Sequence, residues 1–124
     1  MFQAQILTAN GTANGSDVFG PWMPRGGDNI VCTVEIISMS GSSPTGLLVE
    51  VWTKAKSDTG DGTGPATNTG STTSFGSTSS PGRYSATYLG MNELVRYKFK
   101  PGTTDGKWAM FRMLPPSWFD SVRP

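Results

Sequence analysis

The sequence predicts an all-β fold: a single antiparallel β-sandwich, jelly-roll-like, of about seven or eight strands. Three observations carry this. Short runs alternate apolar with polar side chains, the period of two expected where one face of a strand is buried and the other wet. The runs are separated by turn formers, with 16 Gly and 9 Pro in 124 residues and abundant Ser and Thr. No stretch keeps a helical period over ten or more residues. A chain of this size fits one domain, 1–124, and buries roughly two thirds of its unfolded surface.

Residues 2–7 read as a first short strand, with Phe2, Ala4 and Ile6 on one face. The tandem TANG of residues 8–15 follows, and each Asn-Gly pair suits a turn. Phe19 and Trp22 flank Gly20 and Pro21; a proline cannot donate to a ladder, so this segment suits an edge strand or an aromatic plug. Asn29–Met39 is the longest candidate, with Ile30, Cys32, Val34 and Ile36 as its core face. Leu47–Lys54 repeats the scheme, Leu47, Val49 and Val51 opposing Leu48, Glu50, Trp52 and Lys54. These two runs are expected to be antiparallel neighbours.

Residues 55–81 differ: thirteen of the 27 are Ser or Thr, five are Gly, and Phe75 is the sole large apolar side chain. A loop of that length within a small domain is unusual, and a polar edge strand anchored by Phe75 is expected over 72–78. Alternation resumes through Tyr84, Ala86 and Tyr88. The stretch 93–119 is expected to organise the fold as a hairpin. Val95, Tyr97 and Phe99 alternate with Arg96, Lys98 and Lys100, a short Pro-Gly-rich turn follows, and the run 107–114 is apolar on both faces except at Arg112, which suits a mid-sheet strand or one under a partner subunit. An extended tail, 115–124, begins with Pro115 and Pro116 and carries adjacent Trp118 and Phe119, which need a surface to dock on, either their own sandwich or a neighbouring subunit.

Ten Lys and Arg balance nine Asp and Glu, so the formal charge of +1 gives no broad attraction for nucleic acid or an anionic membrane. One cysteine, Cys32, permits no intramolecular disulfide. The opening MFQAQILTANG lacks a basic start and a long apolar run, so production in the cytosol is expected.

Catalysis has little to work with. There is no histidine, which removes the commonest general base and zinc ligand. Cys32 sits in an apolar strand and reads as a small core residue. Glu35 and Glu50, expected on adjacent strands, are the only acidic pair that suggests a glycosidase, and solvent-facing strand carboxylates are far commoner. Asp58 and Asp61 stand in a Gly-rich loop that could hold calcium, though their spacing does not match an EF-hand. Arg96 to Lys100 interleaves cations with aromatics, as single-strand nucleic-acid platforms do, yet alternation places rings and charges on opposite faces. No enzyme activity, cofactor or metal is therefore expected. Among Trp22, Trp52, Trp108 and Trp118, Trp52 is predicted to face outward, where it suits a protein interface or a sugar. Trp52, Trp118, Phe119 and Phe2 are the candidate partner-contacting residues.

The run Glu93-Leu94-Val95-Arg96-Tyr97-Lys98-Phe99, the later Phe111-Arg112-Met113-Leu114-Pro115-Pro116-Ser117-Trp118, and more weakly Leu48-Val49-Glu50-Val51-Trp52-Thr53-Lys54 resemble small β-sandwich virion proteins of tailed bacteriophages. The resemblance implies a head decoration or cement protein, made in the host cytoplasm, that sits on the capsid exterior and strengthens the lattice of major capsid protein. It further implies a homo-oligomer, a trimer rather than a dimer, with no direct contact to nucleic acid or membrane and no catalytic residues. The reading from the residues that competes with it is a carbohydrate-binding module or adhesin using Trp52 and the Ser/Thr-rich loop.

Overall fold

A computed structural model describes residues 5–8, 18–39, 47–60, 74–77, 80–101 and 108–121. Its strands, in chain order, are β1 (Gln5–Thr8), β2 (Val18–Phe19), β3 (Met23–Pro24), β4 (Asn29–Met39), β5 (Leu47–Lys54), β6 (Ser74–Ser77), β7 (Gly82–Tyr88), β8 (Leu94–Pro101), β9 (Trp108–Met113) and β10 (Ser117–Phe119). They form two antiparallel sheets, and no helix is present among the described residues.

The ten segments occupy eight strand positions, because two edges are each made of two pieces. β2 and β3 both pair with β8. From Phe19 to Met23 the chain advances four residues while β8, from Lys98 to Val95, advances three. Pro21, which has no N–H, lies in the break, and Gly20 N–H bridges it by donating to Tyr97 O at 2.8 Å. β9 and β10 likewise share one side of β4, with Pro115 and Pro116 between them; Leu114 N–H donates to Thr33 O at 2.9 Å before the break. Counted as eight, the positions pair first with eighth (β1 with β9), second with seventh (β2 and β3 with β8), third with sixth (β4 with β7) and fourth with fifth (β5 with β6). The β4–β9/β10 and β5–β8 ladders complete the sheets. This is the order of a jelly roll, a long double ribbon wrapped into two facing sheets.

Alternation decides what lies between the sheets. Ile30, Cys32, Val34 and Ile36 of β4, with Phe111 and Met113 of β9, face Leu47, Val49 and Val51 of β5 and Val95, Tyr97 and Phe99 of β8; all are buried. β-Branched side chains dominate β4 and the inward positions of β5, where their restricted χ1 suits a pleated, packed surface. Each fully buried aliphatic contributes about 1.5–3 kcal/mol relative to exposure. The outward member Ile37 is 42% exposed and sits where the β4–β9 register slips by one residue.

Two expected pairings are corrected. The 93–119 stretch is not a hairpin: β8 lies in one sheet and β9 in the other. Asn29–Met39 and Leu47–Lys54 are not neighbours either, since β4 and β5 belong to opposing sheets. The reason is geometric. Facing sheets stand only about 10 Å apart, so a short connection reaches a strand beside it or a strand across the core equally well. The polar edge strand expected over 72–78 is present as β6, paired to β5; its Phe75 anchor falls outside the described side chains. The mid-sheet place expected for 107–114 is found, with β9 between β1 and β4.

Candidate functional site

The two sheets turn different chemistry outward. On the sheet that contains β5 and β8, alternation sends Arg96, Lys98 and Lys100 of β8 away from the core, together with Leu48, Glu50, Trp52 and Lys54 of β5. The register sets Trp52 opposite Arg96 and Glu50 opposite Lys98, and places Phe19 of β2 on the other side of Lys98. Phe19 and Trp52 thus reach over β8 from both sides and meet edge to face, centroids 5.3 Å apart. Trp22, projected by the Pro21 break, completes the group.

The cations lie against these rings. The Arg96 guanidinium stands 3.9 Å from the Phe19 centroid, 4.4 Å from Trp22 and 5.8 Å from Trp52, and Arg96 is only 8% exposed. Lys98 Nζ is 5.3 Å from both Phe19 and Trp52. Lys54 Nζ lies 4.6 Å from Trp22 and donates to Gly60 O at 2.8 Å. Such contacts contribute about 0.5–2 kcal/mol each, more where the cation is desolvated. Glu50 accepts from Trp52 Nε1 at 3.2 Å and lies 4.0 Å from Lys98 Nζ and 3.6 Å from Lys100 Nζ. The result is an ordered aromatic surface with its positive charges set among and below the rings. Phe19, 41% exposed, forms its apolar margin.

The opposite outer face carries an ion cluster, with Ile37 exposed farther along β4. Glu35 of β4 accepts from Arg83 of β7 at 2.7 Å and from Arg112 of β9 at 2.8 Å, an ion triad across three strands. The bond from Arg83, with Arg112 adding to it, holds the Glu35 carboxyl below its ordinary value of 4.5. Thr33 and Ser85 share a hydroxyl bond of 2.7 Å beside it. Glu35 and Glu50, expected on adjacent strands, therefore sit on opposite outer faces of the sandwich and form no acid pair.

The tail is seated on its own sandwich. Trp118 pairs with Ile30 and packs, half-buried, against the core, while Phe119 remains 43% exposed. Asp28 N–H donates to Asp120 Oδ1 at 3.2 Å, Ser121 N–H to Asp28 Oδ2 at 3.4 Å, and Asn29 Nδ2 to Ser121 Oγ at 3.2 Å, which fastens the end of β10 to the start of β4. Among the four candidate partner-contacting residues, Trp52 lies in the aromatic surface, Trp118 and Phe119 lie at the β10 seat, and Phe2 lies outside the described residues. The structure does not bring Trp52 and the tail together on one face.

Cys32 is fully buried, and desolvation pushes its thiol up to about 12, the neighbouring Tyr97 hydroxyl opposing part of the rise. Burial also raises the Tyr97 phenol well above its ordinary value. Asp58 accepts from Gly60 N–H at 2.8 Å and so shapes its own turn, whereas Asp61 lies outside the described residues. Among the described residues no three acids, cysteines or histidines converge on one point.

Reasoning from the sequence found Trp52 but not the group around it. It set the aromatics of β8 against the cations of β8 and found them on opposite faces, which holds for Tyr97 and Phe99. The rings beside Arg96 and Lys98 come instead from β2, β5 and the Pro21 break. The available signal was the aromatic pair flanking Gly20-Pro21; what it lacked was the strand to which that edge pairs.

Comparison with protein-family models, curated proteins and solved structures gives no match. The functional reading rests on the surface itself.

Proposed function

We propose that the chain is a non-enzymatic structural protein of a virion, decorating the exterior of a phage capsid and stabilising it by binding the lattice of major capsid protein. The observation that carries this reading is the aromatic surface of Phe19, Trp22 and Trp52 around Arg96, on the outer side of the β5–β8 sheet. Trp and Arg are the residue types that dominate the energetics of protein interfaces, and rings already held in place lose little further freedom on docking. The jelly-roll fold and the likeness of three segments to small phage virion proteins support the same reading. Repetition of one modest contact over a lattice supplies avidity, and a homo-oligomer, with the trimer favoured, multiplies it again.

A glycan-binding role is disfavoured by the rings' surroundings. A sugar stacks on a free ring face, whereas Arg96 and the two lysines lie against Phe19, Trp22 and Trp52.

The test is the mass of the purified chain by light scattering, alone and mixed with assembled capsid shells. A discrete oligomer that cosediments with shells, and loses that binding when Phe19→Ala and Trp52→Ala are combined, is the expected result. A monomer that ignores shells but is retained on a glycan array overturns the proposal.

A further inference from the structure

We infer that the seat of β10 is an exchange site, which in the assembled protein takes residues 115–121 of a second copy through the contacts it makes with its own tail. The inference stands apart from the aromatic surface, which belongs to the other sheet. The seat is shaped to this one segment. Gly26 leaves room for the Trp118 indole, and a Cβ on Gly27 would stand 3.2 Å from both the backbone N and the backbone O of Phe119. Asn29 is buried, donates from Nδ2 to Ser121 Oγ at 3.2 Å, and accepts at Oδ1 from Gly90 N–H at 3.0 Å, so one amide joins the tail to the turn after β7. The groove and the peptide that fills it are therefore both defined by the chain itself.

Three features make the tail a separable unit. Its ladder pairs and hydrogen bonds, among the described residues, all fall on 28–31. β4 keeps β7 along Ile30 to Ile36 and β9 from Val34 onward when the tail leaves, so the sheet survives its departure. Pro115 and Pro116 offer no N–H to β4, and they hold Leu114 and Pro115 extended, so the link is stiff and carries no ladder of its own. An exchanged tail recovers each of these contacts on the second copy. The two arrangements then differ only at the link and in the surface where copies meet.

That surface decides between them. From Leu114 to Ser117 the link spans about 10 Å at most, so copies that exchange tails must abut at the end of the sheet where β10 sits. Two large apolar side chains stand exposed there, Phe119 at 43% and Leu89 at 51%. Phe119 pairs with Asn29 on one side of β4, and Leu89 follows Tyr88, the partner of Ile30, on the other. In the closed chain both meet water. In an exchanged assembly the neighbour covers them, and burial of that apolar surface favours exchange over the closed monomer, with each tail at home.

The experiment measures mass by light scattering for the full chain, for Trp118→Ala, for Gly26→Leu and for an equimolar mixture of the two variants. Resistance of Cys32 to labelling reports that each sandwich remains folded, since the thiol is buried. The parent is expected as an oligomer whose mass falls to that of the monomer in both variants, because one has lost the ring that fills the seat and the other the room to receive it. The mixture should return about twice the monomer mass, the intact tail of Gly26→Leu filling the intact seat of Trp118→Ala. As a check free of folding defects, excess peptide of residues 115–121 should dissociate the parent oligomer, and the same peptide carrying Trp118→Ala should not. A parent that is monomeric at every concentration, an oligomer that ignores the peptide, or a mixture of folded variants that stays monomeric overturns the inference. So do folded variants that keep the parent mass, and loss of that mass in Phe19→Ala with Trp52→Ala would then place the joint on the aromatic surface. Cosedimentation reads shell binding separately, and a chain that exchanges tails but ignores shells sinks only the lattice reading.

Discussion

The indole of Trp118 lies directly on Gly26: a Cβ placed on that glycine would stand 2.6 Å from Cδ1 and 2.7 Å from Cγ of the ring. No side chain fits there without moving the tryptophan, and with it the β10 ladder on β4. Gly26→Ala should cost about 1–3 kcal/mol, the usual penalty for overpacking. In a Trp118→Ala background the same change should cost little, a coupling that denaturant unfolding of the four species measures. Equal costs in both backgrounds would place the strain elsewhere.

Arg96 stacks its flat guanidinium against two rings at close range. Lysine keeps the charge but not the plane, so Arg96→Lys should lower stability by about 1–2 kcal/mol. The melting temperature checks this, and an unchanged value would mean that charge alone holds the rings.

Glu35 gives the ion cluster on β4 an acid dependence. Folding lowers its affinity for protons, so its contribution is fully present above the ordinary carboxylate value of 4.5 and is lost as pH falls through the depressed native value. Thermal stability should decline over that window, and Glu35→Gln should flatten the decline. A variant with the same acid limb as the parent would assign the loss to other carboxylates.

Cys32 should resist thiol reagents in the folded protein. With its thiol raised from 9.0 to about 12, the thiolate fraction at mildly alkaline pH falls about 1000-fold, and burial adds a steric block. Labelling should proceed at the rate at which the protein opens, and should become fast in denaturant. Fast labelling under native conditions would contradict the packing around β4.

The Tyr97 hydroxyl is buried with no partner at hydrogen-bonding geometry among the described residues; its polar neighbour is the Cys32 thiol, a weak partner at best. Removing such a group relieves a desolvation cost, so Tyr97→Phe should stabilise the fold by about 1 kcal/mol. A lower denaturation midpoint would show that the thiol contact is a net gain.

Much of the fold was legible because a period of two writes the buried face into the chain. Ile30 to Ile36, Leu47 to Val51 and Val95 to Phe99 all point inward as their alternation predicts. Partner choice was not legible. Alternation says that Val95 is buried but not whether Thr53 or a residue of β9 lies beside it, and the register gives Thr53. The aromatic surface was hidden for the same reason. Phe19 and Trp52 are 33 residues apart in the sequence, and neither touches the other unless β2 and β5 both take β8 as their neighbour.

The pairing of first position with eighth has a consequence for how the chain reaches its final state. β9 fills the middle of its sheet, between β1 from one end of the chain and β4 from its first third. Until it docks, both of those strands lack a neighbour on that side, and the core stays open. Contacts of such long sequence separation place folding in the millisecond-to-second range, well behind helical bundles of the same size. Unpaired edges exposed in that interval invite aggregation. Yield on expression should therefore respond to temperature and to chaperones more than the stability of the finished sandwich would suggest.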